Sequence, residues 1–128
     1  MLEHNSATVK LKKLDKMKIA FTTKGTAWDA EMDPRFGRAE YFLIYDNDKD
    51  ELSHYDNSDA SNDAHGAGPK TSQKLFELHP DVLITGNGPG GNAAAVLEKT
   101  GIKIYIGAGN MTAKEAFEAY KNNRLKTI

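Results

Sequence analysis

The sequence contains no cysteine among its 128 residues, and this absence excludes several kinds of site. Structural disulfides, thiolate zinc sites, cysteine-ligated iron–sulfur clusters and cysteine nucleophiles all need a thiol. Any bound metal must therefore be held by histidine, by carboxylates, by backbone groups, or by inorganic sulfide that a metal cluster brings with it.

The chain also lacks an excess of charge of either sign and a long apolar run. It has 17 basic and 18 acidic residues, which give no general attraction to nucleic acid or to an anionic membrane. No apolar segment approaches the roughly 20 residues needed to cross a bilayer. We therefore expect a single cytoplasmic domain with neither nucleic-acid nor membrane partners.

The first 16 residues differ in character from the remainder, because their lysines outnumber their acidic residues and give them a positive charge. They also lack the apolar core of a secretory signal. Met17 is followed at once by an apolar run and resembles a protein start. We expect residues 1–16 to be an extension, derived from a tag or an alternative start, and residues 17–128 to form the domain. The alternative is a native arm in which Val9, Leu11 and Leu14 add an edge strand.

Turn residues divide the domain into five predicted strands and three predicted helices, in the order β-β-β-α-β-α-β-α. The strands are expected at Lys18–Thr23, Tyr41–Tyr45, Leu52–Tyr55, Asp81–Thr85 and Ile102–Ile106, and the helices from Pro69 to just before Pro80, at Ala93–Lys99 and at Ala113–Lys121. Thr112 and Glu115 form a capping-box pattern at the last helix. This order predicts an α/β fold with a mixed, mostly parallel sheet covered by helices on both faces.

Ligands of such sheets bind beyond the carboxyl ends of the parallel strands. The loops that follow strands 1, 4 and 5 open there, namely Lys24–Arg38, Gly86–Asn92 and Gly107–Asn110. The position of the polar loop Asp56–Gly68 stays open, because it leads into the helix that precedes strand 4.

The glycine-rich loop contains a G-x-G-x-x-G pattern at Gly86, Gly88 and Gly91. A dinucleotide site also needs an acidic residue after the next strand, which is missing here, and Pro89 removes one N–H donor. No nucleotide is therefore expected. The loop either binds another anion at the start of its helix or only makes a tight turn.

Two further loops carry candidate ligand contacts. Arg35 and Arg38 flank a turn, and guanidinium groups suit anionic ligands. The alternative is a loop that Phe36 pins in the core, with Arg35 and Arg38 paired to aspartate or glutamate. Trp28, in the same loop, is expected to be exposed. His65 has small neighbours and can ligate a metal or donate to a sulfide. The residues alone favour the alternative of an ordinary solvated loop histidine, because no second histidine or cysteine lies at ligand spacing.

The carboxylates do not form a credible catalytic pair. Strand 1 has no acid, and strand 4 has only Asp81, at its amino end. A metal-dependent nuclease on such a sheet needs clustered carboxylates at the strand ends. The sequence also lacks a nucleophile elbow, a P-loop lysine and an H-E-x-x-H motif, so we expect no enzymatic activity.

An ordered set of segments resembles the dinitrogenase iron–molybdenum cofactor biosynthesis family, over about Met17–Ile128. The segments are Met17–Ala20, Asp33–Phe42, His65–Gly68, Asp81–Pro89, Gly101–Tyr105 and the helix around Glu115. The R-F-G-R-A-x-Y-F motif within Asp33–Phe42 is the most specific of them. One departure is the extra glycine in Gly88–Asn92, where the family often has Gly-Pro-Asn-Ala.

The resemblance implies a three-layer, ribonuclease H-like α/β/α fold, with a five-stranded sheet of order 3-2-1-4-5 and strand 2 antiparallel. It also implies a non-enzymatic carrier or scaffold for an iron–molybdenum-type or other heterometal sulfide cluster, with cluster-donor or acceptor proteins as partners. The alternative is a regulatory or interaction module that binds a small anion or a protein at the same loops.

The resemblance also assigns the site. The residues that would bind the cluster are Arg35, Phe36, Gly37, Arg38, His65, Gly66, Gly86, Asn87, Gly88 and Asn92. Among them, His65 would be the metal ligand. Since such clusters are anionic, arginine, histidine and backbone N–H groups are physically suitable partners.

Overall fold

The computed structural model describes residues 17–58, 67–88 and 91–128. The strands in these ranges are β1 (Lys18–Thr23), β2 (Tyr41–Asp46), β3 (Glu51–Asp56), β4 (Val82–Ile84), β5 (Lys103–Ile106) and β6 (Lys126–Thr127), and the helices are α1 (Ala67–Leu78), α2 (Gly91–Thr100) and α3 (Ala113–Lys121). Every predicted element is present. The bounds of β1 and α3 are the predicted ones, and those of the other elements differ by one or two residues.

The strands of this part of the chain form one mixed sheet of order β3-β2-β1-β4-β5-β6. β4 and β5 run parallel to β1, whereas β2 and β6 are antiparallel to their neighbours. The predicted α/β class and mixed sheet are confirmed. The prediction of five strands was wrong, and the ribonuclease H-like motif stays an expectation.

The missed strand, β6, carries little sequence signal. It pairs with β5 only at Tyr105↔Thr127 and Ile106↔Lys126, and both of its residues are exposed. A strand is recognised by alternating apolar residues over several positions, and a polar dipeptide cannot show that pattern.

Apolar side chains pack on both faces of the sheet. On one face, Leu75 of α1 and Leu97 of α2 join a cluster with Phe42 and Leu83. On the other face, α3 contributes Ala113 and Ala116 to a second cluster, whose other buried members are Ile19, Phe21, Met32, Leu43, Tyr45, Val82, Ile84 and Ala108. Helices therefore cover both faces, as the buried run Val82–Ile84 predicted.

Trp28 belongs to the α3 face and corrects an expectation. It was expected to be exposed, but its ring stacks on Phe117 at a centroid distance of 5.5 Å and meets Phe21 and Tyr45 edge-on at 5.8 and 5.0 Å. The loop folds back over the sheet, so this large ring is half-buried. Aromatic pairs at such distances add stability beyond the area they bury.

The sheet topology also places the chain that follows β3. Because β3 is antiparallel to β2, and β2 is antiparallel to β1, β3 runs in the same direction as β1. β3 therefore ends at the edge of the sheet where β1, β4 and β5 end, which we call the carboxyl edge. The sequence left open where the polar loop after β3 lies. The structure shows that this loop begins at the carboxyl edge.

Candidate ligand-binding site

Buried polar groups are concentrated at the carboxyl edge. The buried polar or charged residues of the described ranges are Thr22, Thr23, Asp33, Asn57, Thr71 and Thr85. In the same ranges, every buried side-chain nitrogen or oxygen has a hydrogen-bond partner. Polar groups are costly to bury, so this concentration marks an edge whose loops are fixed by specific bonds.

The long loop after β1 has two parts, which we call the first loop segment (residues 24–32) and the arginine turn (residues 33–39). The arginine turn is tied to the sheet at its first residue. The N–H of Asp33 donates to the carbonyl of Thr22 at 2.8 Å, and the Thr22 hydroxyl donates to the carbonyl of Asp33 at 2.8 Å. The hydroxyls of Thr22 and Thr85 also lie 2.8 Å apart, which links β1 to β4 beneath the turn.

Asp33 and Arg35 form an ion pair at the surface of this turn. The Asp33 side chain is fully buried, whereas 56% of the Arg35 side chain is exposed. Arg35 donates from Nε to Oδ1 and from Nη2 to Oδ2, both at 3.0 Å, and its backbone N–H donates to Oδ1 at 3.0 Å. The hydrogen bond to Asp33, followed by the charge of that carboxylate, raises the pKa of Arg35. The guanidinium is thus a cation held in one orientation.

Phe36 and Arg38 have different environments from that of Arg35. Phe36 is buried on the α1 and α2 face, with its ring centroid 6.3 Å from that of Phe42. It anchors the turn from inside. The Arg38 side chain is half-buried and has an interaction partner.

Asn57 and Thr71 clamp the second half of the arginine turn. The Asn57 amide donates to the carbonyls of Ala39 at 2.8 Å and Gly37 at 3.4 Å. The Thr71 hydroxyl lies 3.2 Å from the same Gly37 carbonyl. The Asn57 Nδ2 is 3.3 Å from the Thr71 hydroxyl, and both residues are buried. The end of β3, helix α1 and the arginine turn therefore meet at one point.

The glycine-rich loop (residues 86–92, called the glycine loop) contacts the first half of the arginine turn at its own start. The N–H of Asn87 donates to the carbonyl of Pro34 at 2.9 Å. A Cβ atom at Gly86 would lie 2.5 Å from Cα of Pro34 and 3.1 Å from Cα of Gly109, so glycine is needed for this close approach. The prediction that the loops after β1, β4 and β5 meet is confirmed, but the Asn87 N–H already has a protein partner.

Gly88 has a second reason to be glycine. Its φ of +83° lies in the left-handed region, and a Cβ there would be 3.1 Å from the Ile106 side chain. Gly86 and Gly88, in the described start of the glycine loop, are thus close-packed turn residues as well as candidate ligand contacts.

The first loop segment contacts the start of α3. The N–H groups of Ala113 and Lys114 donate to the carbonyls of Ala30 and Trp28 at 2.8 and 2.9 Å. The predicted capping box is present, since the Thr112 hydroxyl accepts from the N–H of Glu115 and the Glu115 carboxylate accepts from the N–H of Thr112. The first turn of α3 has its N–H groups occupied and is not an anion site.

Some predicted residues fall outside the description. His65 and Gly66 are not among the described residues, and neither is the side chain of Asn92, the second residue of α2. Within residues 17–58, 67–88 and 91–128, no group of three or more histidines and carboxylates is placed to hold a metal ion. Among the helices described there, none has the length and apolar character needed to cross a membrane.

Sequence reasoning missed three residues that build the site, Asp33, Asn57 and Thr71. Asp33 had a usable signal, because an aspartate two residues before a loop N–H commonly accepts from it. Asn57 directly follows a strand at the carboxyl edge, but the position of the polar loop that contains it was left open. Thr71 has no local signal, because only the packing of α1 brings its hydroxyl to the turn.

Six chains of solved structures match this protein in fold, among them two that cover most of its length. The apo form of the orange protein from Desulfovibrio gigas superposes with a TM-score of 0.82 at 30% identity, covering 88% of this chain and 92% of its own. The NMR structure of a putative NifB protein from Thermotoga gives a TM-score of 0.74 at 35% identity, covering 87% of this chain and 92% of its own. A search of curated protein sequences finds no match.

The family comparison covers most of the chain. The family described as dinitrogenase iron-molybdenum cofactor matches residues 15–123, which include the arginine turn, the glycine loop and the α3 start. This range agrees with the segments on which the sequence resemblance rests. The chain belongs to the dinitrogenase iron–molybdenum cofactor family.

Proposed function

We propose that this protein binds a metal–sulfide cluster as cargo, at the carboxyl edge of its sheet, and carries or holds it without performing a reaction. The observation that carries the proposal is the exposed, oriented guanidinium of Arg35, on a turn whose Pro34 contacts the glycine loop, in a family named for the iron–molybdenum cofactor. The cargo is an iron–molybdenum-type or other heterometal sulfide cluster.

The chemistry of the available groups suits such a cargo. Metal–sulfide clusters are anionic, and N–H donors of a guanidinium make charge-assisted hydrogen bonds to anions. The chain has no thiol, so the cluster brings its own sulfide and binds largely through hydrogen bonds and imidazole. The structural relative from Desulfovibrio gigas is described as an apo form, which is in keeping with a protein that also exists with a ligand.

His65 is the proposed metal ligand, on the strength of the family resemblance. The chain leaves the described region at Ser58, next to the clamp residue Asn57, and re-enters it at Ala67, the first residue of α1. Thr71, one turn into that helix, contacts the arginine turn. Both anchors of the segment that contains His65 are therefore close to the proposed site.

The test is an anaerobic titration of the apo-protein with molybdenum- and iron-containing sulfide clusters, followed by visible absorption and by co-elution. The His65→Ala variant is expected to bind more weakly than the natural sequence. His79→Asn is the matched control, because His79 follows α1 at the opposite edge of the sheet and has a φ of +53°, which asparagine tolerates. Failure of the natural sequence to bind any cluster would refute the carrier proposal.

A second function fits the same turn, because an oriented guanidinium suits any compact anion. In that case the protein is a regulatory or interaction module that responds to a small anion or to a protein partner. Saturable binding of inorganic phosphate that displaces sulfide clusters would favour this module. Cluster binding that phosphate does not displace would favour the carrier.

A further inference from the structure

The buried carboxylate of Asp33 is matched by a cation that is mostly in solvent. We infer that Asp33 is a positioning residue, which fixes Arg35 so that its free Nη1–Nη2 edge binds the anionic ligand as an oriented pair of donors. This inference rests on the proposed function and names the atoms through which that site would recognise its cargo.

The bonds between the two side chains support this assignment. A guanidinium group has two edges on which an anion can accept two parallel N–H bonds. Asp33 occupies the Nε–Nη2 edge, with both bonds at 3.0 Å. The Nη1–Nη2 edge has no hydrogen-bond partner among the described residues and belongs to a side chain that is 56% exposed. One edge is used for orientation and the other is available to a ligand.

The base of the pair is rigid. The backbone of Asp33 is bonded to Thr22 in both directions, and Pro34 has a fixed φ. A Cβ at Gly109 would lie 3.3 Å from Cβ of Pro34, and one at Gly86 would lie closer still, so two loops hold the proline in place. A donor that is already oriented loses less conformational entropy when a ligand binds.

The charge balance makes the inference testable. Asp33 and Arg35 together are neutral, so the pair attracts a distant anion far less than a lone arginine would. If Arg35 acts as a point charge, removing the carboxylate strengthens anion binding. If Arg35 acts as an oriented donor, removing the carboxylate weakens binding even though the protein becomes more positive. The two roles therefore predict opposite signs for one substitution.

The experiment uses tetrathiomolybdate, a soluble molybdenum–sulfide anion, in anaerobic titrations of the full chain at low and moderate salt. Asp33→Asn is expected to weaken binding at least about tenfold. A guanidinium that is no longer fixed loses the equivalent of one charge-assisted hydrogen bond to the ligand. Asp48→Asn is the matched control, because it makes the same change of charge in the hairpin turn at the opposite edge of the sheet. It is expected to leave the affinity unchanged. Tighter binding by Asp33→Asn would overturn the inference.

A second variant covers the case in which Asp33→Asn folds poorly. Arg35→Lys keeps the positive charge but has neither planar edge, so it is expected to lose a similar factor of affinity. Unchanged affinity for Arg35→Lys would overturn the inference, because a point charge would then suffice.

A measurement without ligand separates this inference from the proposed function. Hydrogen exchange of the Arg35 Nε–H, followed by NMR, is expected to be slow in the natural sequence and fast in Asp33→Asn. Fast exchange in the natural sequence would overturn the positioning role of Asp33. Slow exchange in a protein that binds neither tetrathiomolybdate nor the larger clusters would instead retain the positioning and refute the binding function.

Discussion

The two parts of the loop after β1 are neighbours in sequence but have opposite characters. The first loop segment directs its Trp28 ring into the α3 face and gives its carbonyls to the N–H groups that begin α3. The arginine turn buries Asp33 and Phe36 but leaves most of the Arg35 side chain in solvent. The first loop segment gives backbone carbonyls to α3, and the arginine turn fixes its backbone so that the guanidinium of Arg35 can face outward.

The difference shows what distinguishes a structural loop from a binding loop at the carboxyl edge of such a sheet. Both segments are well bonded, so mobility does not separate them. The bonds of the first loop segment join backbone groups of two elements. Those of the arginine turn fix Arg35, a side chain that keeps N–H donors on its second edge. Substitutions in the first loop segment should therefore change stability alone, whereas substitutions around the arginine turn should also change binding.

The largest expected effect is that of Trp28→Ala in the first loop segment. It removes ring contacts with Phe21, Tyr45 and Phe117 and should lower the free energy of unfolding by about 3 kcal/mol, since the ring is only partly buried. Urea denaturation followed by circular dichroism measures this loss. The folded fraction should still bind tetrathiomolybdate with the natural affinity, and weakened binding by a folded variant would contradict the separation of the two segments.

A smaller loss of stability, with a loss of binding, is expected for Thr71→Val at the clamp. Valine has a similar shape but cannot donate to the Gly37 carbonyl or bond to Asn57, so buried polar groups lose a partner. The expected cost is about 1–2 kcal/mol of unfolding free energy. Tetrathiomolybdate affinity should fall several-fold, because the turn that carries Arg35 is no longer fixed at both ends. Thr71→Ser keeps the hydroxyl and should retain most of the affinity. Equal binding by both variants would show that the clamp does not serve the site.

The sequence predicted the frame of this site better than its details. Periodicity and turn residues place β1, β4 and β5 and hence the edge at which their loops meet, because these signals are local. The partners of Arg35 and of the Gly37 carbonyl depend on contacts between distant segments. Thr71 lies 34 residues from Gly37 and reaches it only because α1 packs against the sheet, which no local pattern encodes. The side chain of Trp28 was misjudged for the same reason, since its contacts come from β1, β2 and α3.

The smallest expected effect is that of Thr112→Ala, where the first loop segment meets α3. Alanine removes the hydroxyl that accepts from the N–H of Glu115, and loss of such a cap costs about 1 kcal/mol. Thermal or urea unfolding should show this loss, and Thr112→Ser, which retains the acceptor, should restore most of it. Tetrathiomolybdate affinity should not change, because the start of α3 gives its N–H groups to Trp28, Ala30 and the capping box, and none to a ligand. If folded Thr112→Ala binds more weakly, the α3 start acts on the arginine turn through Met32, whose N–H donates to the carbonyl of Met111 at 2.8 Å. The two loop segments would then be one cooperative unit.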